Sequence, residues 1–405
     1  MNSMPEDVPL RQHSRLDCID ALRGLVMIFM CLDHTREFFF DQRVYPEDLS
    51  QPTPLLFATR WITHFCAPTF IFLAGVSAFL FQQKTSSRLR LSGFLLTRGV
   101  WLIVLEFTVV HFGWLQTFSD FPFMFIVIAA IGASMIALSG LIWLPFPVLC
   151  STGISIVVLH NCLDQFAPDT AEESNLFWIL FHTGGSLQTV RTAIGYPILA
   201  WIGVICCGYS FGRVMLFPRP VRVRVTLALG VACTVLFVGL RWINVYGDPS
   251  PRLIGVSFPV SLMSFLKCSK YPPSLCYLLM TLGPMLTVLS LFDRTTDGIK
   301  GSARPSFRGP LLDFGRVPLF FYIVHLYLIS CSCRLLYGIV KGEFVSSLVI
   351  SFRFQDRFDE YPEFYGLPLW VTYPAWIVML LILWPLCRWY GRVKRRSKNP
   401  LLKYL

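Results

Sequence analysis

Charge is scarce in this chain. Only 15% of its 405 residues are Asp, Glu, Lys or Arg, where a soluble domain carries about 25%. Against that scarcity stand 54% hydrophobic residues and 36 Phe, gathered into long apolar runs along the whole length. That distribution excludes a soluble enzyme with a single anchor and describes a polytopic membrane protein. Also missing are a C-x-x-C pair and any Cys/His set at metal-ligand spacing, although 13 Cys are present. Scattered within apolar runs, they read as small hydrophobes of helix faces rather than disulfides or zinc ligands, and no metal is expected. Met1–Leu10 lacks a charged start followed by an apolar core, so no cleavable signal is expected. Linkers of domain scale, low-complexity tracts and clear internal repeats are absent too. The expected organisation is a short segment 1–17, one transmembrane domain 18–390 and a basic tail 391–405.

The charge that is present is unbalanced, at net +11. Most of the surplus lies in short segments between apolar runs and in the tail Arg388–Lys403, where membrane topology places it, so nucleic acid is not an expected partner. Apolar runs predict about ten spans: 18–40, 55–83, 92–112, 121–143, 147–163, 193–217, 222–243, 271–292, 311–338 and 370–390. Basic connections (Lys84, Arg88 and Arg90; Arg213 to Arg224; Arg294 to Arg316) alternate with acidic or mixed ones (Asp41, Glu47 and Asp48; Asp164 to Glu173; Asp356 to Glu363). The fold class is therefore an all-α integral membrane protein, a bundle of about ten transmembrane helices with both termini cytoplasmic.

Ionisable residues inside spans are costly and usually face a cavity or a partner. The first span is the extreme case. Asp17, Asp20, Arg23, Asp33, His34, Arg36 and Glu37 flank an apolar stretch of only Gly24–Leu32, so this helix must line a polar interior. Arg23 and His34 are separated by ten residues, about three helical turns, which puts them on one face roughly 16 Å apart. One reading makes Arg23 a phosphate-holding fork at the cytoplasmic mouth and His34 a general base deeper in. The other pairs Arg23 with Asp20 and leaves His34 to cap a polar seam between helices. His64 is expected at a depth similar to His34. Asp33 cannot share the face of its neighbour His34, so it is expected to orient a residue on another helix, such as His64. Glu106 and His111 read as packing residues. His325 is either a satisfied structural histidine or, with Asp20, part of the site lining. Trp61, Trp101 and Trp370 read as interfacial belt residues.

These fragments resemble a known family. Arg15-Leu-Asp17, Asp20-Ala-Leu-Arg23-Gly24 and Met30-Cys-Leu-Asp33-His34 resemble the opening of the transmembrane acyltransferase superfamily. Within it, the resemblance is to the heparan-alpha-glucosaminide N-acetyltransferase-like family in its bacterial form. It continues through Arg60-Trp-Ile-Thr-His64-Phe-Cys-Ala-Pro68, Tyr196-Pro-Ile-Leu-Ala-Trp201, Lys270-Tyr-Pro-Pro-Ser274 and Gly315-Arg-Val-Pro-Leu-Phe-Phe-Tyr-Ile-Val-His325. The resemblance implies transfer of an acetyl or similar acyl group from cytoplasmic acetyl-CoA to a hydroxyl or amine of an acceptor, carbohydrate-like, at the outer face. It implies Arg23 as the donor-binding residue and His34 as the catalytic histidine; Asp33 and His64 join the candidate catalytic set from their positions, His64 as a ligand, an acid/base partner or a mere neighbour of His34. It also implies a bacterial cytoplasmic (inner) membrane location, with the lipid bilayer and acyl-CoA as partners; a homo-oligomer is compatible with it. A transporter or flippase for an anionic or acylated small molecule is the alternative, and an assembly protein of the envelope a third reading.

Overall fold

A computed structural model describes residues 16–118, 121–168, 175–187, 191–295, 308–353 and 357–397. The segment 1–15, the acidic residues Asp169, Glu172, Glu173 and Asp356, the basic residues Lys300 and Arg304, and residues 398–405 of the tail lie outside the described residues. The apolar runs form helices α1 (Asp17–Phe39), α2 (Pro54–Thr85), α3 (Arg88–Leu115), α4 (Val127–Leu141), α5 (Phe146–Phe166), α6 (Ile198–Leu216), α7 (Arg219–Ile243), α8 (Leu275–Thr295), α9 (Pro318–Lys341) and α10 (Leu369–Arg396). Among the described residues, eight of these are long and apolar enough to cross a membrane. Helix α1 is not among them, and α4 is apolar but shorter.

Local chemistry sets the ends. Pro54 and Pro318 open α2 and α9, where a missing N–H costs nothing. Ser87 accepts a hydrogen bond from the Arg90 N–H to cap α3. Asn244 and Gly342, both at positive φ, close α7 and α9.

Several expected boundaries move. The fourth span was expected from 121 but starts at Val127, because Phe123–Phe125 forms strand β1. It pairs in parallel with β3 (Thr192–Ile194), which pairs antiparallel with β2 (Gly185–Leu187). The ninth span is divided into a short helix Arg308–Gly315 and α9, since the residue before a proline is driven out of the helical region; Val317 has φ −133°. Helix α10 also runs on to Arg396, six residues past its expected end.

Ion pairs set the start of α7 against the end of α8 and the start of α1 against the residues before α9, which brings basic connections together at one end. There Arg222 pairs with Asp293 at 2.6 Å and Arg316 with Asp17 at 3.1 Å. At the acidic end Lys267 donates to the Glu47 carbonyl at 2.9 Å, and the Leu367 N–H to the Phe39 carbonyl at 3.0 Å. Helices α7 and α10 are the most exposed of the long apolar helices; α2, α6 and α8 are the most enclosed. Helix α1 runs through the centre, against α2, α8, α9, α10 and the Arg308–Gly315 helix. Its contact with that short helix needs two glycines. A Cβ on Gly24 would sit 1.9 Å from the Leu311 carbonyl oxygen, and one on Gly315 1.8 Å from the Asp20 oxygen. This approach seats the polar residues of α1 inside protein rather than against lipid.

Candidate active site

His34 and His325 are joined in the core. His34 Nδ1 lies 2.7 Å from His325 Nε2, with the rings stacked at 4.9 Å between centroids. On its far side, His325 Nδ1 lies 3.0 Å from the Phe321 carbonyl oxygen, one turn earlier in α9. A carbonyl only accepts, so the proton of neutral His325 is on Nδ1 and its Nε2 is bare. That nitrogen can then only accept, which assigns the His34 proton to Nδ1 and leaves the lone pair on His34 Nε2. Backbone geometry in α9 thus dictates the tautomer of a residue in α1. Trp114 meets the His34 ring edge-on at 4.7 Å and stacks on Phe38 at 5.3 Å; Tyr322 lies 6.1 Å from the His34 ring. His325 is fully buried, whereas His34 retains 9% of its surface.

Below this pair lies a cavity of about 370 Å³ between α1, α2, α3, α4 and α9. Its walls are largely apolar, with Met30, Phe70, Phe81 and Phe94 among them. Two arginines, Arg23 and Arg98, and Tyr322 also line it. Arg23 contacts Asp20 at 3.2 Å and donates to the Ser77 hydroxyl, so the pairing with Asp20 coexists with a place on the cavity wall. The Arg98 signal was present in the sequence, as a cation inside the apolar run of α3, where burial is costly without a polar partner or cavity.

Toward the acidic end a second cluster surrounds Asp33. Arg60 Nη1 lies 2.9 Å from both carboxylate oxygens of Asp33, and Arg36 lies 3.2 Å from it. Asp33 therefore does reach across to α2, but its partner there is Arg60. His64 Nε2 sits 2.9 Å from Glu47 in the α1–α2 connection, and its own carbonyl accepts from the Tyr277 hydroxyl at 2.8 Å. The ring neighbours of His34 are Trp114, Tyr322 and His325, whereas that of His64 is Tyr277. Burial would raise the Glu47 pKa, but His64, Arg60 and Lys270 outweigh it and hold the carboxyl down at about 2.

Glu106 and His111 meet neighbouring elements. Glu106, in a π turn of α3, accepts from the Ala129 N–H at 2.9 Å and so caps the start of α4. His111 packs against Phe118 and Phe123. Among the described residues no group of three His, Cys, Asp or Glu is arranged to hold a metal.

A family model described as heparan-alpha-glucosaminide N-acetyltransferase, catalytic, matches residues 15–247. That stretch spans α1 to α7 and includes Arg23, Asp33, His34, His64 and Arg98. His325 lies beyond it. No curated protein matches the chain.

Proposed function

The chain belongs to the heparan-alpha-glucosaminide N-acetyltransferase family and is a membrane acetyltransferase; from that premise we propose that it moves acetyl from cytoplasmic acetyl-CoA to a hydroxyl or amine of a carbohydrate-like acceptor at the opposite face. In this proposal ten helices span a bacterial inner membrane, both termini are cytoplasmic, and the basic end is the donor side. The single observation that carries it is the His34–His325 hydrogen bond, whose neighbour Tyr322 lines a cavity that also bears Arg23 and Arg98.

Each part answers a need of the donor. Guanidiniums hold phosphate oxygens through paired, charge-assisted hydrogen bonds. An apolar passage suits the pantetheine arm, which carries the thioester inward. His34 Nε2 has the lone pair a general base requires, and a positioned base contributes about 10²–10⁴-fold. The acceptor O–H or N–H gives its proton to His34 as its oxygen or nitrogen attacks the thioester carbon. The C–S bond then breaks, and the departing thiolate takes that proton back. His325 positions the base: its accepting Nε2 fixes the tautomer and supports the imidazolium while it exists. The Asp33, Arg60, Glu47 and His64 cluster frames the acceptor side, and no metal enters the scheme.

Binding of coenzyme A to the purified protein tests the donor half. Wild-type protein is expected to bind it, and Arg23→Lys, which keeps charge but loses the fork, to bind about tenfold more weakly. Wild-type protein that does not bind coenzyme A would overturn the reading and favour a transported solute.

A further inference from the structure

Two buried polar groups beside His34 are short of hydrogen-bond partners among the described residues. The Tyr322 hydroxyl and the Trp114 indole N–H lie close to each other, and neither has another hydrogen-bond partner among the described residues. Tyr322 is 4% exposed and Trp114 8%. Leaving such groups unmade costs stability, so each calls for a reason. Packing supplies none for the hydroxyl, since a phenylalanine ring would fill the same space. Other unpartnered buried groups, such as the Trp201 indole and the Tyr390 hydroxyl, neither contact the His34 ring nor line the cavity. These two converge on one place: both rings contact His34, and Tyr322 also forms part of the cavity wall.

Acyl transfer generates the charge that such donors would meet. When the acceptor attacks the thioester, the carbonyl oxygen takes up the π electrons and becomes an oxyanion. The acceptor proton passes to His34 at the same stage. Collapse restores the C=O bond, expels the thiolate and removes the charge. Donors short of ground-state partners, fixed by packing before substrate arrives, strengthen their interaction only as that charge develops. We infer that the Tyr322 hydroxyl, backed by the Trp114 N–H, is the oxyanion-stabilising donor of the acetyl transfer. The inference rests on the proposed acetyl-CoA chemistry. It makes Tyr322 a catalytic residue in α9, beyond the segment matched by the family model.

The test compares two donor analogues on the full-length protein in detergent. Acetonyl-CoA presents an ordinary ketone. Trifluoroacetonyl-CoA hydrates or adds a nucleophile readily and so presents a tetrahedral oxygen adduct. Wild-type protein is expected to bind the trifluoro analogue more tightly. Tyr322→Phe should shrink that gap by about 10²-fold, the usual scale for one oxyanion donor, while changing acetonyl-CoA affinity less than about twofold. Trp114→Phe, which keeps an aromatic ring against Phe38, should shrink it by about tenfold, and gives a second reading if Tyr322→Phe accumulates poorly. A gap unchanged in these variants, or absent from wild type, would overturn the oxyanion assignment while leaving coenzyme A binding intact. Failure of wild type to bind either analogue would overturn the donor reading as well.

Discussion

The two histidine pairs differ in what stands behind each imidazole. His64 has the Glu47 carboxylate at 2.9 Å, whereas His34 has only another imidazole, itself anchored to a backbone carbonyl. A histidine–carboxylate pair resembles a catalytic dyad more closely in composition, so the make-up of the two pairs alone would favour His64. Surroundings reverse that preference. The Glu47–His64 pair lies in a network with Arg60 and Asp33 at the acidic end, where its charges are used in holding the α1–α2 connection. The His34–His325 pair adjoins the cavity through Tyr322, and its hydrogen-bond chain leaves a lone pair over. A partner's charge matters less than whether the chain of donors and acceptors ends on an available nitrogen.

Short of removing the base itself, the largest expected effect is at His325. His325→Leu leaves His34 Nδ1 without its acceptor and frees the ring to change tautomer, so kcat should fall by about 10²-fold. His325→Gln can present a carbonyl oxygen to the same Nδ1–H and should recover part of that loss, with little change in KM for acetyl-CoA. Equal loss in both variants would make His325 a packing residue.

Arg98 separates donor binding from chemistry. Arg98→Ala should weaken coenzyme A binding about tenfold, and a pre-bound donor should still react. A lower kcat with unchanged donor affinity would move Arg98 out of the donor site.

The smallest effect expected concerns Glu47, through stability. Its pKa in the fold, about 2, lies below that of an unfolded glutamate. The unfolded chain therefore binds the proton more readily. The stabilisation is fully present above the unfolded pKa and is lost as pH falls from about 4.5 toward 2. Glu47→Gln should melt at a lower temperature than wild type at pH 7, and the difference should close across that acidic window. A difference that persisted unchanged through it would separate Glu47 from the ion-pair account.

The sequence made the character of α1 plain: seven charged or histidine residues around so short an apolar stretch require a polar interior, and the helical period puts Arg23 and His34 on one face. Pairings between helices were harder to read. His325 lies 291 residues from His34, and no periodicity within one helix says which faces meet. Asp33 was expected to reach a residue on another helix, such as His64, and it meets Arg60, one turn earlier in α2. After Arg60 the helix tightens into a 3₁₀ turn at Ile62–Phe65 that includes His64, which changes the angular step and displaces His64 from the α-helical face. The break before α9 was visible in Pro318, whereas the late start of α4 depends on β1 pairing with a strand near residue 193.

The central claim is that His34, and not His64, takes the acceptor proton. The most direct measurement is transfer from labelled acetyl-CoA in membranes bearing equal amounts of wild-type, His34→Ala and His64→Ala protein. Its readouts are labelled product and bound coenzyme A. His34→Ala should bind coenzyme A normally and lose transfer by about 10²–10⁴-fold, while His64→Ala loses only a few-fold. Substantial turnover by His34→Ala beside an inactive His64→Ala would contradict the account and place the base on α2.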